Sequence, residues 1–350
     1  MNSAAIGDTG DAGRGWRQPA EWGAHEACWL AWPSHPVEWP GPGVLEGARR
    51  AVAEMALALA RGERVEMLVL PGESEESARR ALGSAVRFHS IRFGDVWLRD
   101  TGPIFLRGDG GELVAACFGW NGWGGKYLFA DDERVSADIA DAAGVRRLHV
   151  PMVLEGGAVE SDGEGTLLTT RQCLLSPSRN PGMSAADVER ELGAALGARR
   201  VLWLERGLAN DHTDGHVDTL ARFVAPGRVV CMEPSGPGDP NKAALAEVAR
   251  DLARMRDAEG RALEVVRIPS PGRIETAAGE LAAASYVNFL IGNRCVTVPI
   301  YGSPGDSEAV EVLGELFPGR EVIPIDARAA VVGGGALHCM SREQPAAEAR

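Results

Sequence analysis

No stretch of the sequence approaches the length of apolar run that crosses a bilayer. Residues 1–17 are rich in Gly, Ala and Asp and lack the basic region and apolar segment of a secretion signal, so a cytoplasmic protein is expected. Cysteine is scarce and scattered. The six, at 28, 117, 173, 231, 295 and 339, form no C-x-x-C pair and read as reduced thiols, not as a disulfide framework. Positive charge is short: 36 Lys and Arg stand against 49 Asp and Glu, a net charge of -13. Such a surface argues against nucleic acid or an anionic membrane as partner and suits a small cationic ligand. No glycine-rich dinucleotide fingerprint follows an early strand.

What is present is a repeated unit. The 350 residues, 45% hydrophobic, suffice for one large domain or two smaller ones. Residues 1–16 read as a disordered tail. A buried strand is expected over 26–32, then a helix over 44–60 with Val44, Ala48, Val52, Met55 and Leu59 on one face, then a strand over 64–70. Helices are expected again at 132–143, 184–196, 240–256 and 306–316, each followed by an apolar strand, at 145–150, 199–204, 263–268 and 321–325. An additional helix near 73–82 enlarges the first unit. Hairpin turns are legible at 107–111, 161–165, 225–228 and 291–294. Five helix–strand–hairpin units result, the fifth lacking a hairpin strand that the N-terminal strand would supply to close a ring. The expected fold is an α/β propeller of five blades, against a doubly wound α/β sheet that would not need the hairpins.

Polar groups recur at one place in each unit. Asp100 precedes the first hairpin, Glu155 the second, His216 and Asp218 the third and Asn288 the fourth, while Cys339 follows the last strand. Three glycines, 333–335, strip side chains from the approach to Cys339 and permit positive φ. His216 and Asp218 alternate at a strand start and so share a face. One cysteine, one histidine and several carboxylates converging suit attack on a carbon that carries positive charge. A guanidinium fits, because its N–H pairs match carboxylates bidentately. Two aspartates would hold it with its carbon over the sulfur. The acids would raise the thiol pKa, and a bound cation would counter that. The imidazole would protonate departing ammonia and then activate water.

The motifs Trp97-Leu-Arg-Asp-Thr-Gly-Pro103, Asn121-Gly-Trp-Gly-Gly-Lys-Tyr127, Leu154-Glu-Gly-Gly157, Gly165-Thr-Leu-Leu-Thr-Thr170, Gly215-His-Val-Asp218, Ser285-Tyr-Val-Asn288 and Gly333-Gly-Gly-Ala-Leu-His-Cys339 resemble those of agmatine deiminases and the related bacterial-type peptidylarginine deiminases. The resemblance runs from about residue 19 to 345. It implies the five-bladed propeller of guanidino-group-modifying enzymes, in a single domain over 17–350, with no metal or organic cofactor. It also implies a small guanidino substrate and a homo-oligomer. Carried over by motif, Cys339 is the nucleophile that forms an amidino-cysteine, and His216 is the general acid and base. Asp100 and Asp218 bind the guanidinium, and Glu155 is a further active-site carboxylate. Trp97, Trp123 and Asn288 line the substrate. The segments 211–214 and 339–345 depart from the commonest agmatine deiminase wording and bear on the substrate's tail.

The expected reaction is agmatine plus water to N-carbamoylputrescine plus ammonia. Another arginine-like guanidino compound, or peptidylarginine, is the alternative within the class. A metal-dependent hydrolase that uses His212 and His216, with Asp214 and Asp218 beside them, is a more distant one. A non-catalytic ligand-binding propeller is the third.

Overall fold

The structure is a computed structural model that describes residues 15–347. Of the tail expected over 1–16, residues 1–14 lie outside the described ones, and Trp16 is buried in an apolar cluster with Leu106 and Val188. Strand β1 (His25–Ala31) leads through helix α1 (Val44–Leu59) to β2 (Arg64–Leu68), then through α2 (Glu73–Leu82) to β3 (Arg87–His89). In α1 the residues Ala48, Val52, Met55 and Leu59 are buried, as their 3.6-residue spacing predicts. The next unit holds a single turn α3 (Leu98–Thr101), β4 (Ile104–Arg107), β5 (Leu113–Gly119), a kinked turn α4 (Gly122–Gly125), α5 (Asp132–Ala143) and β6 (Arg146–Val153). The third holds β7 (Glu160–Ser161), β8 (Thr166–Thr170), a turn α6 (Arg171–Leu174), α7 (Ala185–Leu196) and β9 (Arg200–Leu204). A capping box between Ser184 and Asp187 starts α7, and Gly197, at φ 73°, ends it in the left-handed conformation that only glycine adopts without strain. The remaining elements are β10 (Ala221–Ala225), β11 (Arg228–Glu233), α8 (Lys242–Leu252), β12 (Glu264–Pro269), β13 (Leu290–Ile291), β14 (Cys295–Ile300), α9 (Asp306–Leu316), β15 (Glu321–Asp326) and β16 (Ser341–Pro345).

These strands form five small sheets, not the single doubly wound sheet held as the alternative. Each is built alike. A first strand pairs antiparallel with a second, a helix follows, and a third strand returns parallel to the second: β4-β5-β6, β7-β8-β9, β10-β11-β12 and β13-β14-β15. The fifth sheet, β16-β1-β2-β3, takes its first strand from the C-terminal end of the chain and its second from the N-terminal end. Middle strands such as β8 and β14 are covered on both faces, so β14 is apolar apart from Thr297, while the threonines of β8 are buried with its leucines. The antiparallel partner of β1 was not expected from its own residues. Four of its five residues, Ser341 to Gln344, are polar, yet every residue of Ser341–Pro345 is buried. No helix among the described residues is long and apolar enough to cross a membrane.

Candidate active site

Asp100 lies on α3, just ahead of β4. Glu155 stands two strands on, ahead of β7. His216 and Asp218 precede β10, Asn288 precedes β13 and Cys339 precedes β16. Each candidate therefore occupies the entrance to the first strand of its own sheet. His216 and Asp218 sit on a short 3-10 turn around Val217–Thr219, not on the strand start expected for them.

Cys339 is buried. Its Sγ lies 3.2 Å from the Asn288 side-chain nitrogen, which donates to it, and 3.6 Å from Asp218 Oδ2. The Asn288 carbonyl oxygen accepts from the backbone N–H of Cys339 at 3.4 Å, so one amide holds both the main chain and the sulfur. Of the three glycines before the cysteine, only Gly334 uses a positive φ, 108°. Gly333 and Gly335 serve close approach instead. A Cβ on either would press against the Trp97 indole, at 3.0 and 2.7 Å.

The acids meet around Gly157. A Cβ there would lie 2.6 Å from His216 Nδ1, 3.0 Å from Asp100 Oδ1 and 3.1 Å from Asp218 Oδ2. Asp100 accepts from the Gly157 N–H at 3.0 Å and from Trp123 Nε1 at 2.9 Å. To reach it, Trp123 adopts φ 51° and ψ 50°, a left-handed conformation that costs a bulky residue about 1–3 kcal/mol and persists only where its surroundings hold it. Glu155 accepts from Arg179 Nε at 2.6 Å, with both side chains fully buried. Among the described residues, neither ring nitrogen of His216 has a hydrogen-bond partner, nor do Glu155 Oε2 and Asp218 Oδ1. Buried polar atoms are rarely left so, and these await a polar occupant.

The charges fix the ionisation states. Burial pulls the His216 pKa down, but Asp100, Glu155, Asp218 and Asp211 outweigh it and hold the imidazole above its ordinary value. Burial pushes Asp218 up, yet the bond and charge of His338 and the charges of His216 and Arg222 leave it below the usual carboxylate range. Asp100 is raised, by burial first and then by Asp218 and Glu155, against the pull of His216. Cys339 is pushed well above an ordinary thiol by burial and by the charges of Asp218 and Asp100. The resting sulfur is therefore a thiol. A unit cation about 4 Å away, at an effective dielectric near 20, is worth about 4 kcal/mol, or roughly three pKa units, and it acts in the direction that favours the thiolate.

A cavity of about 290 Å³ opens at Cys339 and is walled by Trp97, Trp123, Tyr127, Phe129, Asp100 and the glycine loop. The Trp97 indole spans it. Its benzo edge lies against Gly335, next to Cys339, and its Nε1 donates to Asp95 Oδ2 at 2.7 Å. Glu38 stands beside Asp95 in the same wall. Burial and the charges of Asp95 and Asp132 push Glu38 up to about 9, and burial with Asp132 raises Asp95 to about 7. Near neutral pH the pair holds a proton that a cation would displace. Among the described residues, the cavity wall contains no arginine or lysine.

The profile of the Porphyromonas-type peptidyl-arginine deiminase family matches residues 17–345. The chain belongs to this family. Agmatine deiminase of Stutzerimonas stutzeri is 39% identical over 356 residues, which covers 95% of this chain and 96% of the relative. Agmatine deiminase of Pseudomonas aeruginosa is 37% identical over 355 residues, with the same two shares. Among solved structures, agmatine deiminase of Enterococcus faecalis superposes with a TM-score of 0.89 at 32% identity, covering 95% of this chain and 96% of that one. A cysteine-to-serine variant of the C. jejuni enzyme with substrate bound superposes at 0.85, with 25% identity and shares of 95% and 97%. The chain is thus an enzyme of the deiminase family.

All eight candidate residues of this deiminase-family chain come together, though not in one layer. Asp100, Trp97, Trp123 and Cys339 wall the cavity. Asp218, His216 and Glu155 lie completely buried behind them. Asn288, expected to line the substrate, supports the cysteine instead. Four groups escaped the sequence: Glu38, Asp95, Arg179 and His338. His338 could have been singled out by its place beside Cys339, and Asp95 by its place two residues before Trp97. Nothing in the sequence pairs Glu38 with Asp95.

His212 and His216 do not converge as a metal site requires. His212 stacks on Tyr127 with Nδ1 3.2 Å from its hydroxyl, while Asp214 takes Lys126 and Arg179 at 2.8 and 2.7 Å. A different trio, Glu155, Cys173 and His216, brings its ligand atoms within 4.8 Å of one another. The Arg179 guanidinium against Glu155 already supplies that cluster with a positive charge. The donor set is a poor cradle for a second cation.

Proposed function

We propose that this protein hydrolyses agmatine to N-carbamoylputrescine and ammonia. One observation carries the choice of substrate: the cavity is acidic at both edges of the Trp97 indole, with Asp100 and the buried acids near the sulfur, and Glu38 with Asp95 at the far side. A guanidinium at one end and an ammonium at the other match it. Free arginine would bring an α-carboxylate to Glu38 and Asp95, where no arginine or lysine among the described wall residues answers it. The names of the curated relatives agree with this reading.

In the reaction we propose, Asp218 and Asp100 grip the guanidinium, and its charge lets the Cys339 thiol ionise, its proton passing to solvent. The sulfur attacks the guanidino carbon. The C–N bond to an unsubstituted nitrogen breaks, and His216, protonated by virtue of its acidic surroundings, gives that nitrogen the proton it needs to leave as ammonia. Water then enters, His216 takes its proton, and the C–S bond breaks to return the thiolate and release the ureido product. Asn288, donating to Sγ, supports the sulfur as an anion.

We infer further that the single domain expected over 17–350, of which 348–350 lie outside the described residues, holds its five sheets around a common axis as a propeller. The equivalent placement of Asp100, Glu155, His216 with Asp218, Asn288 and Cys339 supports this, as does the β1–β16 pairing that joins the two ends of the chain. Steady-state ammonia release from agmatine, free arginine and an arginyl peptide tests the function. Agmatine should exceed the others in kcat/KM by at least about tenfold per lost charge contact. A preference for arginine would overturn the assignment.

A further inference from the structure

His338 stands one residue before the nucleophile and is fully buried. Its main chain is fixed on both sides: the N–H donates to Asn288 Oδ1 at 3.2 Å, and the carbonyl accepts from Arg99 Nε at 3.3 Å. Its ring lies between two carboxylates. Nδ1 is 2.7 Å from Asp218 Oδ2, and Nε2 is 2.8 Å from Glu21 Oε2. Glu21 is itself held. Its Oε1 accepts from the Ile291 N–H at 2.8 Å, and Arg222 approaches Oε2 at 2.7 Å. An ionised carboxylate only accepts, so the ring nitrogen that faces Asp218 is the donor of that pair.

The consequence falls on Asp218. Its Oδ2 is taken by His338 Nδ1, with the Cys339 thiol at 3.6 Å, while its Oδ1 has no partner among the described residues. A carboxylate pinned by one oxygen cannot rotate, and its other oxygen stays aimed and unsatisfied. We propose that His338 is a positioning residue, whose Nδ1–H locks Asp218 so that Oδ1 is presented to the guanidinium, with Glu21 bracing the far side of the ring. This rests on the guanidino reading of the site given above. Arg222 and Glu160 extend the brace: Arg222 Nε meets Glu160 Oε2 at 2.7 Å, so Glu21 is tied into the fully buried start of β10. A free aspartate would have to be oriented anew by each incoming substrate. A locked one is pre-organised.

Two substitutions separate positioning from packing. The amide nitrogen of an asparagine falls where Nδ1 sits, and that of a glutamine where Nε2 sits. His338→Asn keeps the donor to Asp218 and loses the one to Glu21, and His338→Gln does the reverse. Both remove the same ring from the same buried place. Agmatine kinetics should show His338→Gln losing about 10- to 100-fold in kcat/KM, mainly through KM, since a hydrogen bond to a charged group is lost. His338→Asn should stay within about tenfold of wild type. Equal losses in the two variants, or a better Gln variant, would overturn the proposal.

Should neither variant fold, a crystal structure of Cys339→Ser protein soaked with guanidinium ion decides. Asp218 Oδ1 on the guanidinium with Oδ2 still on His338 supports the role. A rotated Asp218 that has left His338 overturns it. Failure of wild-type protein to release ammonia from any guanidine would instead count against the proposed function, and the guanidinium complex would still read the role of His338.

Discussion

At Cys339 burial and two aspartates oppose ionisation, while the Asn288 amide favours it, and the balance leaves a thiol well above its ordinary pKa. Inactivation by neutral iodoacetamide at pH 7 should therefore be slow and should accelerate with pH beyond the ordinary thiol range. A fast, pH-independent reaction at pH 7 would show a resting thiolate and contradict this picture. The acids at the other end of the cavity carry a second pH dependence. Glu38 and Asp95 are raised, to about 9 and about 7, so the folded protein binds more protons than the unfolded chain between the ordinary carboxylate range and those values. By linkage, stability falls as pH rises through that window, and an ammonium tail that displaces the shared proton binds more tightly as pH rises. Glu38→Gln should flatten both trends and raise the agmatine KM by about tenfold or more, the worth of a charge-assisted contact. An unchanged KM and an unchanged slope of Tm against pH would remove Glu38 from the tail site. The pairing of these two acids was illegible in the sequence, because a pocket's far wall is assembled from segments that carry no shared motif. The reactive end was legible, because its groups recur at one place in successive units, several of them beside glycines, as at 156–157, 215 and 333–335.

Among the elements, the long helices and apolar strands followed from periodicity almost residue for residue: α5 and α9 were placed at 132–143 and 306–316 and are found there. What escaped was short or polar. α3, α4 and α6 are single turns of four residues, too brief for a period to show. β16 is hidden by its own chemistry. Arg342 and Glu343 look like surface charges, but they are buried with Arg99, which meets Glu343 at 2.5 Å. The turn between Glu155 and β7 offers a sharper test of how elements aim the site. Gly156 and Gly157 are neighbours with different neighbourhoods. A methyl on Gly156 would collide with the Arg342 guanidinium and the Arg99 carbonyl, while one on Gly157 would press His216 Nδ1 at 2.6 Å. Gly156→Ala should cost about 1–3 kcal/mol of stability, the usual penalty of overpacking. Gly157→Ala should lose about 10²-fold in kcat, since displacement of catalytic groups by an ångström has that effect. Thermal melts and turnover of the two variants check this, and a Gly157→Ala enzyme with full kcat would mean that the three groups around it do not act as a unit.

For the whole molecule, the five-unit repeat was readable from turn spacing and helix–strand alternation, and so was the place of the N-terminal strand in the fifth sheet. Which residues pair there was only half readable. β1 was named, but its partner β16 was not, because the pairing spans the entire chain. That pairing is open to direct attack. Removing residues 341–350 strips the antiparallel partner from β1, leaves Trp29 Nε1 without Gln344, which accepts from it at 2.9 Å, and leaves buried Arg99 without Glu343. Breaking a buried charge pair alone costs about 3–5 kcal/mol, so calorimetry should show Tm lower by about 10 °C or more, or no cooperative transition. A truncated protein with the wild-type Tm would show that the fifth sheet does not depend on its C-terminal strand.

The proposed chemistry comes down to a bond between the sulfur of Cys339 and the carbon of a guanidinium. Intact-mass spectrometry of His216→Ala protein, quenched during incubation with agmatine, tests it. The predicted result is an amidino adduct that maps to the Cys339 peptide and vanishes in the Cys339→Ser background. Ammonia release by Cys339→Ser protein at the wild-type rate, with no adduct in either variant, would contradict it.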